Sequence, residues 1–87
     1  MEYVLKTKNS KKREMYFEKL SVYGCPIDDY NLACAKKFTL SGALKMAGRL
    51  NSLVRTLPSF TEDWLYKVVA LSWSFALVNS GATHNSL

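Results

Sequence analysis

The sequence predicts an α+β fold in which a small antiparallel sheet of three to four strands is packed by one amphipathic helix. Three observations lead there. Two alternating, β-prone runs near the N-terminus are joined by a short polar connection. A single central stretch carries apolar residues at helical spacing, and a further run rich in Val, Tyr and Trp follows it.

The first element is Tyr3-Val4-Leu5-Lys6-Thr7-Lys8, which alternates and is β-prone; Asn9-Ser10-Lys11-Lys12 has turn composition, and Glu14-Met15-Tyr16-Phe17-Glu18-Lys19-Leu20 is the second strand. Together they read as an antiparallel hairpin whose tip carries the densest positive charge in the molecule. The stretch from Ser21 to Ile27, with Gly24 and Pro26, breaks the strand, and Asp28-Asp29 is placed to cap a single helical turn through Leu32. Ala33 to Phe38 fits either the end of that turn or a third short strand.

Thr39 and Ser41 are both suitable N-caps for the helix that follows. Its stripe is Ala43, Met46, Ala47, Leu50, Leu53, Val54 and Leu57, its opposite face presents Lys45, Arg49, Ser52 and Arg55, and Pro58 stops it. Gly48 inside the helix costs about 1 kcal/mol against Ala, and its lack of a side chain would permit close approach of a sheet or a partner. After a loop over residues 59–63, Trp64 to Leu71 reads as a strand from its composition. The competing reading is a helix capped by Thr61-Glu62-Asp63, running to Val78 and stopped at Asn79-Ser80-Gly81. Residues 1–78 are expected to form one α+β domain and residues 79–87 a flexible tail.

Composition bounds the function. A chain of 87 residues has room for one domain with one modest core, and 48% hydrophobic with 13% aromatic residues is too rich for a disordered chain. Twelve basic residues against seven acidic ones give a formal charge of +5, a field that attracts polyanions or acidic protein faces without specifying either. It also keeps a small protein in solution. Cys25 and Cys34 with the single His84 fall short of a zinc ligand set, so no metal is expected and the thiols are expected to be free. The run from Trp64 to Val78 is shorter than the ~20 residues a bilayer requires and contains Lys67. No membrane association is expected, and the setting is read as cytoplasmic.

No catalytic constellation stands out. Asp28-Asp29 and Glu62-Asp63 are better explained as caps, and His84 has neither a serine nor a cysteine motif around it. The four glycines at 24, 42, 48 and 81 form no phosphate loop, so neither a cofactor nor an enzyme activity is expected. The candidate contact residues are Lys8, Lys11, Lys12 and Arg13 at the hairpin, and Lys45, Arg49 and Arg55 on the helix. Tyr16, Tyr23 and Tyr30 are the aromatics that would stack on bases if nucleic acid were the partner, and sheet-edge and core-rim cover if it were not.

The succession Tyr3-Val4-Leu5-Lys6, Met15-Tyr16-Phe17, Ala33-Cys34-Ala35-Lys36-Lys37-Phe38-Thr39, the helix with Ala43, Ala47 and Leu50, and Tyr66-Lys67-Val68-Val69 resembles small uncharacterised bacteriophage and prophage proteins of β-β-(β)-α-β type. The likeness spans roughly residues 3 to 71 and consists mostly of hydrophobic spacing. It implies a protein of phage or mobile-element origin that modulates a host macromolecular complex, a class that includes anti-CRISPR inhibitors of host defence. The partner implied is a host protein or ribonucleoprotein complex. A small basic nucleic-acid-binding protein is the alternative. A structural homo-oligomer, with the segment from Trp64 to Val78 pairing between chains as a homodimer, is a further one.

Overall fold

The computed structural model describes residues 1–71. Strands β1 (Glu2–Lys8), β2 (Glu14–Leu20), β3 (Pro26–Asp29) and β4 (Lys67–Leu71) form one antiparallel sheet in the order β3-β2-β1-β4, and helix α1 (Leu40–Val54) lies on one face. The expected fold class is the one observed. Alternation explains why both faces of β1 are buried. Leu5 meets the helix, whereas Val4 points the other way into a smaller cluster with Tyr16 and Ala35.

The main core is Leu5, Phe17 and Tyr66 from the sheet side against Ala43, Ala47, Leu50 and Val54 from α1. Gly48 is exposed, with nothing within 4 Å of where a Cβ would stand, so it marks no close approach to the sheet. Phe17 stacks on Phe38 at 6.1 Å and meets Tyr66 edge-on at 6.3 Å, both within the range where aromatic pairs add to their buried area. Of the predicted stripe, Leu53 and Leu57 remain about half exposed and Met46 is partly buried. Thr39 is the N-cap, its hydroxyl accepting from the Gly42 N–H at 3.1 Å. The helix ends at Val54, before Pro58 is reached, through turns closed by Thr56 and Leu57 N–H groups.

One expectation about local structure changes and one open choice is settled. Asp28-Asp29 does not begin a helical turn; it closes β3, a four-residue edge strand in which Pro26 stands first, where its missing N–H costs nothing. The cap of the following 3-10 turn (Leu32–Cys34) is Asn31, whose side chain accepts from Ala33 N–H. The segment Lys36–Phe38 then runs where β1 and β2 diverge, with Lys36 N–H donating to Phe17 and Phe38 exchanging two backbone bonds with Tyr3. The open choice over residues 33–38 resolves as a turn followed by a single bridge.

The strand reading of the last run holds for Lys67–Leu71, paired with Glu2–Lys6, while Glu62–Trp64 is a 3-10 turn that precedes it. That turn is tied down by Thr7, a buried residue whose hydroxyl donates to the Trp64 carbonyl at 2.8 Å. The expected stretch from Ser72 to Val78 and the tail over 79–87 lie outside the described residues.

Candidate functional site

Both hairpin loops are built on one plan. In the β1–β2 loop the Asn9 side-chain oxygen accepts from the Lys11 and Arg13 N–H groups, the Lys12 N–H returns to the Asn9 carbonyl, and Lys12 sits at φ 63. In the β2–β3 loop the Ser21 hydroxyl accepts from Tyr23 and Cys25, Gly24 N–H returns to Ser21, and Gly24 sits at φ 80. The first residue supplies an oxygen and the fourth takes the left-handed conformation. Each loop is thereby held in one shape.

The β1–β2 loop is braced from outside as well. Asn9 donates its side-chain N–H to the Tyr30 hydroxyl at 2.8 Å, and the Arg13 guanidinium lies 4.3 Å above the Tyr30 ring. Lys11, Lys12 and Arg13 are exposed on this frame, and Lys8 is partly buried just below. Among the described residues the one ion pair joins Lys6 to Glu14, so the loop cations face solvent without an acidic partner. A smaller hollow ringed by Lys6, Lys8 and Lys67 is different, because Glu14 and Asp63 stand in the same wall.

Sequence spacing grouped Lys45, Arg49 and Arg55 as one face. All three are exposed, but Lys45 is ten residues from Arg55, about 15 Å along the axis. The hairpin loop and the C-terminal end of α1 border a common groove of about 300 Å³, which has Lys8 and Asn9 on one side and Val54 and Leu57 on the other. Arg55 adjoins this pole as the residue capping α1. Lys45, the sixth residue of α1, lies in the N-terminal half of the helix, away from this pole.

The lining of that groove includes a pair that sequence reasoning missed. Asp28, on edge strand β3, accepts the Tyr66 hydroxyl proton, with oxygens at 2.8 and 2.9 Å; Tyr66 lies beside the opposite edge strand, β4. Burial raises the Asp28 carboxyl above its ordinary range, and the bond from Tyr66 opposes this only in part. Burial first, then the carboxylate charge and the bond donated to it, hold the Tyr66 phenol protonated far beyond the usual range. Tyr66 is fixed in turn by Asn51 of α1, which accepts from its N–H at 2.7 Å and donates to its carbonyl at 3.1 Å. An Asp in a Pro-Ile-Asp-Asp run carries no local sign of a partner 38 residues away.

Cys25 and Cys34 are free and exposed, and among the described residues no group of three His, Cys, Asp or Glu is placed to hold a metal ion. Among the same residues no helix is long and apolar enough to cross a membrane. Compared with protein-family models, curated proteins and solved structures, the chain matches none of the three. The chemistry of this pole therefore carries the functional reading.

Proposed function

We propose that this chain is a non-catalytic binding protein of phage or mobile-element type that occupies a surface of a larger host assembly, with the β1–β2 loop as its principal contact. The observation that carries the reading is the braced loop, with three adjacent cations on a backbone pinned by Asn9 and by Tyr30. A contact surface already held in its bound shape loses little conformational entropy on association, and a cluster of one sign speeds encounter with an acidic face. Inhibition of a host-defence complex, as anti-CRISPR proteins achieve it, is the form of this function to which the resemblance leads.

Tyr30 favours a second reading. A half-exposed ring beside Lys11, Lys12 and Arg13 is the combination that single-stranded nucleic acid uses for stacking and charge neutralisation. The test is affinity capture from bacterial lysate with and without nuclease, using the native chain, a Lys11→Glu/Lys12→Glu/Arg13→Glu variant and a Lys45→Glu/Arg49→Glu variant. A protein complex that survives nuclease, is lost with the loop variant and persists with the helix variant is the expected result. Capture abolished by nuclease would establish the nucleic-acid reading, and capture indifferent to the loop variant would overturn the assignment of the contact surface.

A further inference from the structure

The groove beneath the basic loop contains a charge that the fold leaves unmatched. Asp28 is half-buried in its lining, and its one hydrogen-bond donor among the described residues is the neutral Tyr66 hydroxyl. Lys8 is the one cation in the wall and makes no ion pair with Asp28 within 4 Å. Met15 of β2, Pro26 of β3, Val54 and Leu57 from the end of α1, and Trp64 supply its apolar wall, while the uncharged Thr7, Asn9 and Ser10 stand with Lys8 on the polar side. No charged group faces Asp28 from β2, from α1 or from the turn before β4 among these lining residues. A carboxylate taken partly out of water without a cation is a cost to the fold. The arrangement, a carboxylate acceptor beside an apolar wall, is complementary to a side chain with an aliphatic stem and a cationic head.

We propose that this groove receives a single Lys or Arg side chain of the protein partner, its stem against Met15, Leu57 and Trp64 and its head on the Asp28 carboxylate. The inference rests on the binding function proposed above and narrows it, because it gives the partner a pattern: one basic residue flanked by acidic ones, which meet Lys8 in the groove wall and the cations of the β1–β2 loop that continues from it. Nucleic acid offers no such cation, and its phosphates would be repelled by Asp28. The groove is open and near the lower size limit for small-molecule sites, which suits one side chain from a larger surface better than a whole ligand.

The test uses the intact chain and nuclear magnetic resonance titration of the Trp64 indole and the Met15, Val54 and Leu57 methyl signals. Probes are n-butylguanidinium, n-butanol, butyrate, the peptide Ac-Asp-Arg-Asp-NH2 and a single-stranded oligonucleotide. Expected is a response to n-butylguanidinium that weakens at least tenfold in Asp28→Asn, with the Asp-Arg-Asp peptide binding at least threefold tighter. In the native chain the guanidinium response should also decline as acid protonates Asp28, which keeps the proposal testable if the variant folds poorly. Equal responses to n-butanol, a stronger response to butyrate, oligonucleotide in the groove, or a guanidinium response unchanged in Asp28→Asn would each overturn it. A peptide weaker than n-butylguanidinium would overturn the protein source of the cation. Because these probes need no partner, failure here leaves the loop assignment standing, and failure of the charge-reversal capture leaves the groove chemistry standing.

Discussion

Lys12 and Gly24 occupy the same place in two loops of the same design, each as the fourth residue of its loop, between the two backbone N–H groups that the first residue's side-chain oxygen captures. Gly takes the left-handed conformation freely; for Lys it costs about 1–2 kcal/mol, offset in part by the smaller unfolded-state freedom of a non-Gly residue. Lys12→Gly is therefore expected to stabilise the protein by up to about 1 kcal/mol, and Gly24→Ala to destabilise it by about 1 kcal/mol. Urea unfolding of the two variants against the native chain checks both signs. A Lys12 position selected for its charge at the cost of stability would show weaker partner binding in the more stable Lys12→Gly variant.

Asn9 sets the loop's shape without contributing charge. Asn9→Ala removes two loop bonds and the bond to Tyr30, and about 1–2 kcal/mol of stability is expected to go with them. Partner affinity should fall although every lysine and arginine remains. Asn9→Ser should restore part of both, because Ser21 performs the same backbone capture in the other loop. Calorimetric affinity with thermal unfolding of the three proteins separates rigidity from charge.

Asn51 is a polar residue on the helix whose two bonds to the Tyr66 backbone stand in for ladder bonds that β4 has not yet begun to make. Asn51→Leu leaves the Tyr66 N–H and carbonyl unmatched in a partly buried place, and a loss of about 2–4 kcal/mol is expected from two such groups. The near-ultraviolet circular dichroism of the aromatic core should weaken with it. An unchanged spectrum and stability would mean that water replaces the amide.

The pH dependence of Asp28 runs opposite to that of a salt-bridged carboxylate. Its carboxyl is raised in the folded state by burial, so the folded chain holds this proton more tightly than the unfolded chain does. The stabilisation is complete below the unfolded value near 3.8 and is lost as pH rises through the raised folded value. Relative to Asp28→Asn, the native protein should therefore lose stability as the solution is taken from pH 4 toward neutrality. Urea midpoints of both proteins across that interval test it; a difference independent of pH would contradict the burial of Asp28.

Much of the fold was legible because its signals are local. The hairpin of β1 and β2 follows from alternation around a polar turn, and the start of α1 from Thr39 ahead of an apolar stripe. Pro26–Asp29 was not legible as a strand, since two aspartates and a proline are poor strand formers and the segment pairs only as a short edge. The end of α1 was read late because Leu53 and Leu57 continue the stripe while remaining about half exposed. Of the candidate contact residues, the loop cations could be chosen from charge density alone. Their bracing by Tyr30, and the meeting of Asp28 with Tyr66, depend on where distant segments come to rest, which no spacing in the chain encodes.

The strand order places the first strand in the interior of the sheet and gives one of its flanks to the last described strand, with Glu2 opposite Leu71. Strands β1 to β3 are joined by short loops and can assemble quickly, whereas the β1–β4 ladder must close a loop of some sixty residues before it gains anything. A chain emerging from the ribosome would thus carry an incomplete sheet, with one side of β1 open, until Leu71 has left the exit tunnel. Refolding should be limited by that final docking, so that Val69→Ala, which faces Val4 across the ladder, chiefly speeds unfolding, while Phe17→Leu also slows folding. Topology in this protein sets a schedule: what is made first is finished last.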